Sequence, residues 1–343
     1  MSNQQRPLSA GLLLTSVHDR AVPGHQQVAE HRRLVERGRD AGLDLVLAGQ
    51  HFGTPDLRYL QPVPYLASLA DRAEPMRLGT GIALLPLLNP VDAAEQVATL
   101  DVVSGGRAVF GVGLGYRDEE LRIFGVERAT RVRRFEESIG IIRALWRGEA
   151  LDDRWTCFDL DGVSASIVPE QPGGVPIWLA GQAEASVRRA GRLGDGWYAP
   201  PFPTNGALRT LHESFLDAQA EAGREVATVA VRREMFVTGG PAWHQEAFAE
   251  GVGQRFEVFR RWGEATDVEV RHGAPGDAGW LDSKVVVGPP EQCAEAIQWL
   301  RDHAGLTDLI LKVQWPGVPP EVGEAQLDLV AGAVLPLLDG WGS

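Results

Sequence analysis

Two histidines, His18 and His51, stand at the ends of apolar runs, and they are the first side chains to ask for proton transfer near neutral pH. They come from separate segments with no His-x-His or His-Glu-x-x-His spacing, so no metal centre is suggested. Asp19 is the one carboxylate at such a position, whereas glycoside hydrolysis needs two that face each other. Neither a Gly-x-Ser-x-Gly elbow nor a Gly-x-x-x-x-Gly-Lys phosphate loop occurs. What these positions do hold is glycine. Gly111-x-Gly113-x-Gly115 follows one apolar run, and Ala180-Gly181-Gln182-Ala183 leads from another into a helical pattern over 184–193. The first N–H groups of a helix are unpaired and sit at its positive end, so Gly181 to Ala183 can seat a cofactor phosphate. The same glycines would also serve simply as tight strand-to-helix turns. The Gly111 run lacks the third glycine of a dinucleotide fingerprint, because Tyr116 stands there. Phe52, Tyr116, Trp197, Tyr198, Phe202 and Trp315 complete the set. Such a lining suits a flat aromatic cofactor that carries the chemistry and a hydrophobic substrate, although each ring can equally pack between strand and helix.

These residues belong together only if the chain brings the ends of its apolar runs to one place. Runs rich in β-branched residues, at 12–15, 43–48, 77–84, 107–112, 176–180, 196–199, 229–237 and 308–313, alternate with longer amphipathic segments. That order predicts a parallel sheet with helices outside. Eight strands can close, so the fold expected is an α/β TIM (β/α)8 barrel, with the site at the C-terminal ends of the strands. Ala41-Gly42 and Ala304-Gly305, and more loosely Ala190-Gly191 with Gly194, read as helix-to-strand turns that use left-handed glycine. Two stretches exceed the alternation. Residues 152–174 contain an alternating run at 163–168 that predicts a small hairpin. Residues 239–283 begin with a helical pattern (Phe248, Val252, Phe256, Phe259) and continue into a Gly/Pro loop over 272–279. Both are expected to be lids over the catalytic face of one barrel domain spanning 1–343.

The 343 residues include 46 acidic and 33 basic side chains, a formal charge of −13 that repels a nucleic-acid backbone. No apolar run is long enough for a bilayer, and Met1 to Ala10 show no signal-peptide core. Cys157 and Cys293 are isolated, so the expectation is a cytoplasmic protein without disulfides, membrane contact or nucleic-acid partner.

Several segments, in order along nearly the whole chain, resemble the bacterial luciferase-like monooxygenase family. They are Gln50-His51-Phe52, Arg77-Leu78-Gly79-Thr80-Gly81 running to Asn89-Pro90, the stretch from Ala98 through Ser104-Gly105-Gly106-Arg107 to Gly115, Phe124-Gly125-Val126, Pro176 to Gly181, Arg192 to Trp197, and Val287-Gly288-Pro289-Pro290-Glu291. The resemblance implies a flavin or deazaflavin enzyme. It also implies a cis peptide at Gly81–Ile82 behind the flavin ring, ring contacts from Thr80, Gly81 and Ile82, and a role for Arg131 near the cofactor phosphate. It strengthens the reading of Ala180, Gly181, Gln182 and Ala183 as the phosphate loop, with Gly113 on the same rim. In luciferases proper the second strand ends in Glu-His-His-Phe, and the first of those histidines is the functional one. Gln50 takes its place here and cannot transfer a proton near neutral pH, which leaves His18 or His51 for acid/base work. The leading expectation is a monooxygenase that uses reduced FMN from a separate reductase, because no second nucleotide-binding module is visible. A deazaflavin-dependent hydride-transfer enzyme and a non-catalytic partner subunit are the alternatives. The resemblance further implies a homo-oligomer, paired through the helices around 62–73 and 91–103.

Overall fold

A computed structural model of the chain describes residues 7–14, 22–55, 57–226, 228–263, 275–315, 317–338 and 341. Strand β1 (Ser9–Leu14) precedes α1 (Gly24–Asp40), and β2 (Leu45–Ala48) precedes the short α2 (Pro62–Ala67) and α3 (Ala70–Ala73). Then come β3 (Arg77–Leu84), α4 (Pro90–Val103), β4 (Ala108–Gly113), α5 (Asp118–Ile123) and α6 (Arg131–Trp146). The alternation continues through β5 (Ile177–Ala180), α7 (Glu184–Leu193), β6 (Gly196–Ala199), α8 (Asn205–Glu221) and β7 (Val229–Val237). It ends with α9 (Ala242–Arg261), α10 (Ala278–Leu281), β8 (Val285–Gly288), α11 (Pro290–Ala304), β9 (Asp308–Lys312) and α12 (Pro320–Leu329).

The strands are parallel, and the order β6-β5-β4-β3-β2-β1-β9-β7 closes on itself through the β6–β7 pairing. This is the (β/α)8 barrel that the alternation predicts. The ninth strand, β8, was not expected. Glu234 to Val237 of β7 pair with Val285 to Gly288, while Glu234 also faces Lys312 across its other edge. β8 thus lies along the edge of β7 that β6 leaves beyond Val231.

Alternation along each strand separates two cores. Leu12, Leu14, Val46 and Ala48 pack outward with the helices, whereas Leu13, Leu45, Leu47, Val109, Trp178, Tyr198, Ala230 and Ile310 form an apolar plug inside the barrel. The plug sets the floor of the site. At the opposite end, Gly42 and Gly305 take the expected left-handed conformation, with φ of 80° and 67°. Gly194 does not, and Gly191 serves packing instead: a Cβ there would lie 2.7 Å from the Phe215 carbonyl of α8.

The two insertions behave differently. Residues 152–174 carry no strand, so the hairpin is absent. Thr156 and Cys157 bind Glu137 of α6, Ser166 binds Glu95 of α4, and Gln171 binds Asp101 of α4. This segment leaves the end of a helix and returns to the start of β5, both at the N-terminal ends of the strands, so it runs along the outside instead of over the mouth. The second insertion does cover the mouth. Its expected helix is α9, with Phe248, Val252, Phe256 and Phe259 all buried. Residues 264–274, which include part of the expected loop, lie outside the described residues, as does His18. No described helix is long and apolar enough to cross a membrane.

Candidate active site

A cleft of about 280 Å³ opens at the C-terminal ends of the strands, near the lower end of the range for small-ligand sites. Its β2 to β5 side is made of very small residues: Gly49, Gly81, Gly113 and Ala180 all line it. The Gly81–Ile82 peptide is cis, as the resemblance implies, and the β3–β4 register shifts between Thr80 and Ala83. Ile82 therefore turns into the cleft. A Cβ on Gly113 would lie 2.4 Å from the Ile82 Cδ1 and one on Gly111 only 2.1 Å from the Thr80 carbonyl, so glycine is what lets β4 lie against this bulge. The Thr80 hydroxyl donates to the Gly111 carbonyl at 2.6 Å and is buried beneath the cleft, not part of its wall.

Gln50 braces the bulge from the other side. Its backbone N–H donates to the Ile82 carbonyl at 3.2 Å, its side-chain carbonyl accepts from the Leu84 N–H at 2.9 Å, and its amide donates to Gln61 at 3.0 Å. An amide satisfies both a donor and an acceptor at once, which a neutral imidazole does only at fixed tautomer. Gln50 lines the cleft, but its polar atoms are committed to backbone and to Gln61.

His51, the next residue, is held by a buried carboxylate. Its Nδ1 meets Glu120 Oε1 at 2.9 Å, and the same oxygen accepts from the Phe52 N–H at 2.9 Å and lies 3.3 Å from Arg117 Nη1. Glu120 is 1% exposed, so this carboxylate is a fixed anchor. With Nδ1–H donated to it, the other ring nitrogen of His51 is free to exchange a proton. Tyr59 (4.9 Å between centroids) and Trp262 (5.1 Å) hold the ring in place, and Arg117 stacks over Trp262 at 4.5 Å. The end of α9 thereby reaches across the mouth to His51, while Phe259 packs on Phe202 at 5.4 Å.

The expected phosphate loop is differently equipped. The Gly181 N–H donates to the Tyr198 carbonyl, and those of Gln182 and Ala183 both donate to Ser186 Oγ at 3.2 Å. Ala183 has no acceptor of its own, so the serine three residues on caps the helix. A Cβ on Gly181 would lie 2.9 Å from the Val187 N, so this glycine allows strand and helix to pack closely. Gly181, Gln182 and Ser186 line the cleft from this loop and Arg131 lines it from α6, while the Ser186 hydroxyl donates to the Ala183 carbonyl at 2.7 Å. Arg131 begins α6 and donates to the Gly115 carbonyl at 3.2 Å; burial and the neighbouring Arg128 push its pKa down.

The β7 and β9 side is charged. Arg232 and Arg255 line the cleft, and both meet the fully buried Glu234, whose second oxygen accepts from the Trp315 indole at 2.8 Å. Lys312 donates to the Gln314 carbonyl; burial and then Arg232 hold its pKa well below the usual 10.5. The Tyr198 hydroxyl also lies here, its pKa raised by burial.

The structure thus gathers Gln50, His51, Gly81, Ile82, Gly113, Arg131, Ala180, Gly181 and Gln182 around one cleft, leaving Thr80 below it and Ala183 behind Ser186. Tyr116, Tyr198 and Phe202 line it, whereas Trp197 faces the helices, Phe52 packs on Phe124 and Trp315 serves Glu234. Glu120, Arg232, Glu234, Arg255 and Lys312 escape a reading confined to the residues that follow each strand. For Arg232, Glu234 and Lys312 the signal is an Arg-Arg-Glu triplet and a lysine inside runs that are otherwise apolar, whereas Glu120 and Arg255 lie in helices and carry no such mark.

The closed parallel barrel thus carries, at its C-terminal mouth, a bulged third strand, a recess of small residues and an arginine at the start of α6. The luciferase-like monooxygenase family model matches residues 9–307, and the chain belongs to that family of oxidoreductases, which includes FMN-dependent monooxygenases and F420-dependent enzymes. The phthiodiolone/phenolphthiodiolone dimycocerosates ketoreductase of Mycobacterium kansasii is 30% identical over 299 residues, 78% of this chain and 80% of that one. An F420-dependent glucose-6-phosphate dehydrogenase of Amycolatopsis mediterranei is 30% identical over 223 residues, 61% of this chain and 65% of that one. Among solved structures, the monooxygenase RslO1 of Streptomyces bottropensis superposes with a TM-score of 0.84 at 22% identity, covering 96% of this chain and 99% of its own. The oxygenating constituent of 3,6-diketocamphane monooxygenase from Pseudomonas putida, in complex with FMN, gives 0.78 at 18%, covering 97% and 99%.

Proposed function

We propose that this chain oxygenates a small organic substrate with molecular oxygen, using reduced FMN delivered by a separate reductase. The observation that carries this reading is the recess of Gly49, Gly81, Gly113 and Ala180 beside the bulge, where the near absence of side chains leaves room for a ring such as isoalloxazine and where a side chain at Gly113 would collide with Ile82. Reduced flavin bound there supplies the electrons that activate oxygen. Arg131 would hold its phosphate, with the Gln182 and Ala183 N–H groups turning to it from Ser186 Oγ. His51, oriented by Glu120, gives or takes a proton at its free ring nitrogen. Phe202 and Phe259 close the outer wall and keep water out. FMN is favoured over a deazaflavin because one arginine serves the phosphate end, and a polyanionic tail on a chain of net charge −13 would call for more.

The F420-dependent relative supports a second reading, deazaflavin hydride transfer in the same recess. The absorbance spectrum of the co-purified cofactor separates the two, together with substrate-dependent oxygen uptake in the presence of reduced FMN. Turnover with reduced F420 in the absence of oxygen, and no binding of FMN, would overturn the first reading. Pairing of two copies through α2 and α4, where Val102 and Val103 are exposed, belongs to the same proposal and is read by the mass in solution.

A further inference from the structure

The buried charges of β7 and α9 do not balance. Arg232 Nη2 lies 3.3 Å from Glu234 Oε1, and the Arg255 guanidinium meets that same oxygen, so two cations share one carboxylate. Among the described residues no other carboxylate forms an ion pair with either of them. Both guanidiniums line the cleft although Arg232 is only 8% and Arg255 only 3% exposed. The Tyr198 hydroxyl lies beside the Arg232 guanidinium and interacts with it, and it adds no negative charge to offset the second cation. Buried cations persist when paired, and buried donors when bonded. This wall therefore carries surplus positive charge at the cleft.

A carboxylate matches that surplus. It carries one negative charge and two acceptor oxygens, the geometry a guanidinium fork is built for. Leu57, Ile82, Phe202 and Phe259 give the same cleft an apolar surface for the body of a substrate. Arg131, the cation at the phosphate end, follows β4, and β7 lies three strands further round the barrel, so the two cationic places are separate. We propose that Arg232, Arg255 and the Tyr198 hydroxyl form a subsite for the carboxylate of the substrate, which is an apolar organic acid and not a neutral hydrophobe. The inference rests on the proposed use of the cleft for a flavin and a substrate, and narrows the class of the latter.

The test is calorimetric binding of 2-naphthoate and 2-naphthamide, alike in shape and different in charge, to the purified chain with and without FMN. The acid should bind about tenfold or more tightly than the amide, the worth of a charge-assisted pair. Arg232→Met should erase that preference while FMN affinity stays within about twofold, and Arg232→Lys should restore part of it. Met at 232 leaves Glu234 paired with Arg255 and Trp315, so the fold is expected to survive; Tyr198→Phe, which should weaken acid binding alone, provides a second variant. Equal affinity for the two probes, or binding of neither, overturns the subsite. So does loss of FMN binding in Arg232→Met with naphthoate binding intact, since the wall would then belong to the cofactor. Acid selectivity that depends on Arg232 in a chain that binds no flavin or deazaflavin keeps the subsite and overturns the proposed function instead.

Discussion

Between β2 and β5 the barrel mouth is lined by Gly49, Gly81, Gly113 and Ala180, whereas β7 and β9 bring Arg232, Glu234 and Lys312 to the other side. One side obtains its function by leaving side chains out, and its constraint is steric. The other puts charged side chains where a barrel normally puts Val, Ile or Leu, and its constraint is charge balance. The contrast teaches that a substitution should fail for different reasons on the two sides: loss of ligand room on the first, loss of fold on the second.

Glu234→Gln tests the charged side most severely. It strands two guanidiniums beside Lys312 and should lower unfolding free energy by about 3–5 kcal/mol in denaturant titration. Gly113→Leu should do the reverse, lowering FMN affinity by about a hundredfold while overpacking costs about 1–3 kcal/mol of stability. A larger stability loss in Gly113→Leu than in Glu234→Gln would break the comparison. Glu120→Gln, between the two sides, should reduce turnover by about tenfold or more with cofactor affinity unchanged, because His51 loses its anionic anchor. Arg131→Ala should weaken FMN binding by about tenfold, more than removal of any other surface arginine, with melting temperature preserved. The smallest effect concerns Lys312. Its folded pKa lies below 10.5, so the folded protein binds fewer protons than the unfolded one between that pKa and 10.5, and stability rises with pH there. Relative to Lys312→Met, the unaltered chain should gain stability as pH climbs from neutral towards 10.5, read from paired urea titrations.

The barrel was legible because its eight strands are apolar runs at regular intervals, and closure follows from their number. β8 was not, since four residues leading directly into a helix leave no periodicity to read. The fate of 152–174 turned on direction: a segment that follows a helix starts on the face away from the site, whatever its length. The bulge at Gly81–Ile82 came from resemblance, because nothing in the spacing of Thr80, Gly81 and Ile82 marks a cis bond. The amide chemistry of Gln50 is readable from its type alone, but its use as a brace depends on the Leu84 N–H, which sequence does not bring near. Arg232 and Glu234 went unread although period-2 spacing inside a barrel strand puts both on the interior face. Asking which face a strand's charges occupy would have found them.

The Ser186 hydroxyl carries a kinetic consequence. Because it accepts from both Gln182 and Ala183, the first turn of α7 is hydrogen-bonded with no ligand present. An arriving phosphate exchanges one set of partners for another, and a departing one leaves no donor stranded. Such a seat favours rapid turnover of its occupant over long residence. The cofactor proposed above, reduced elsewhere and carried in for each cycle, would ask for that property, and Ser186→Ala, which leaves the Gln182 and Ala183 N–H groups to the phosphate alone, should show it as slower release.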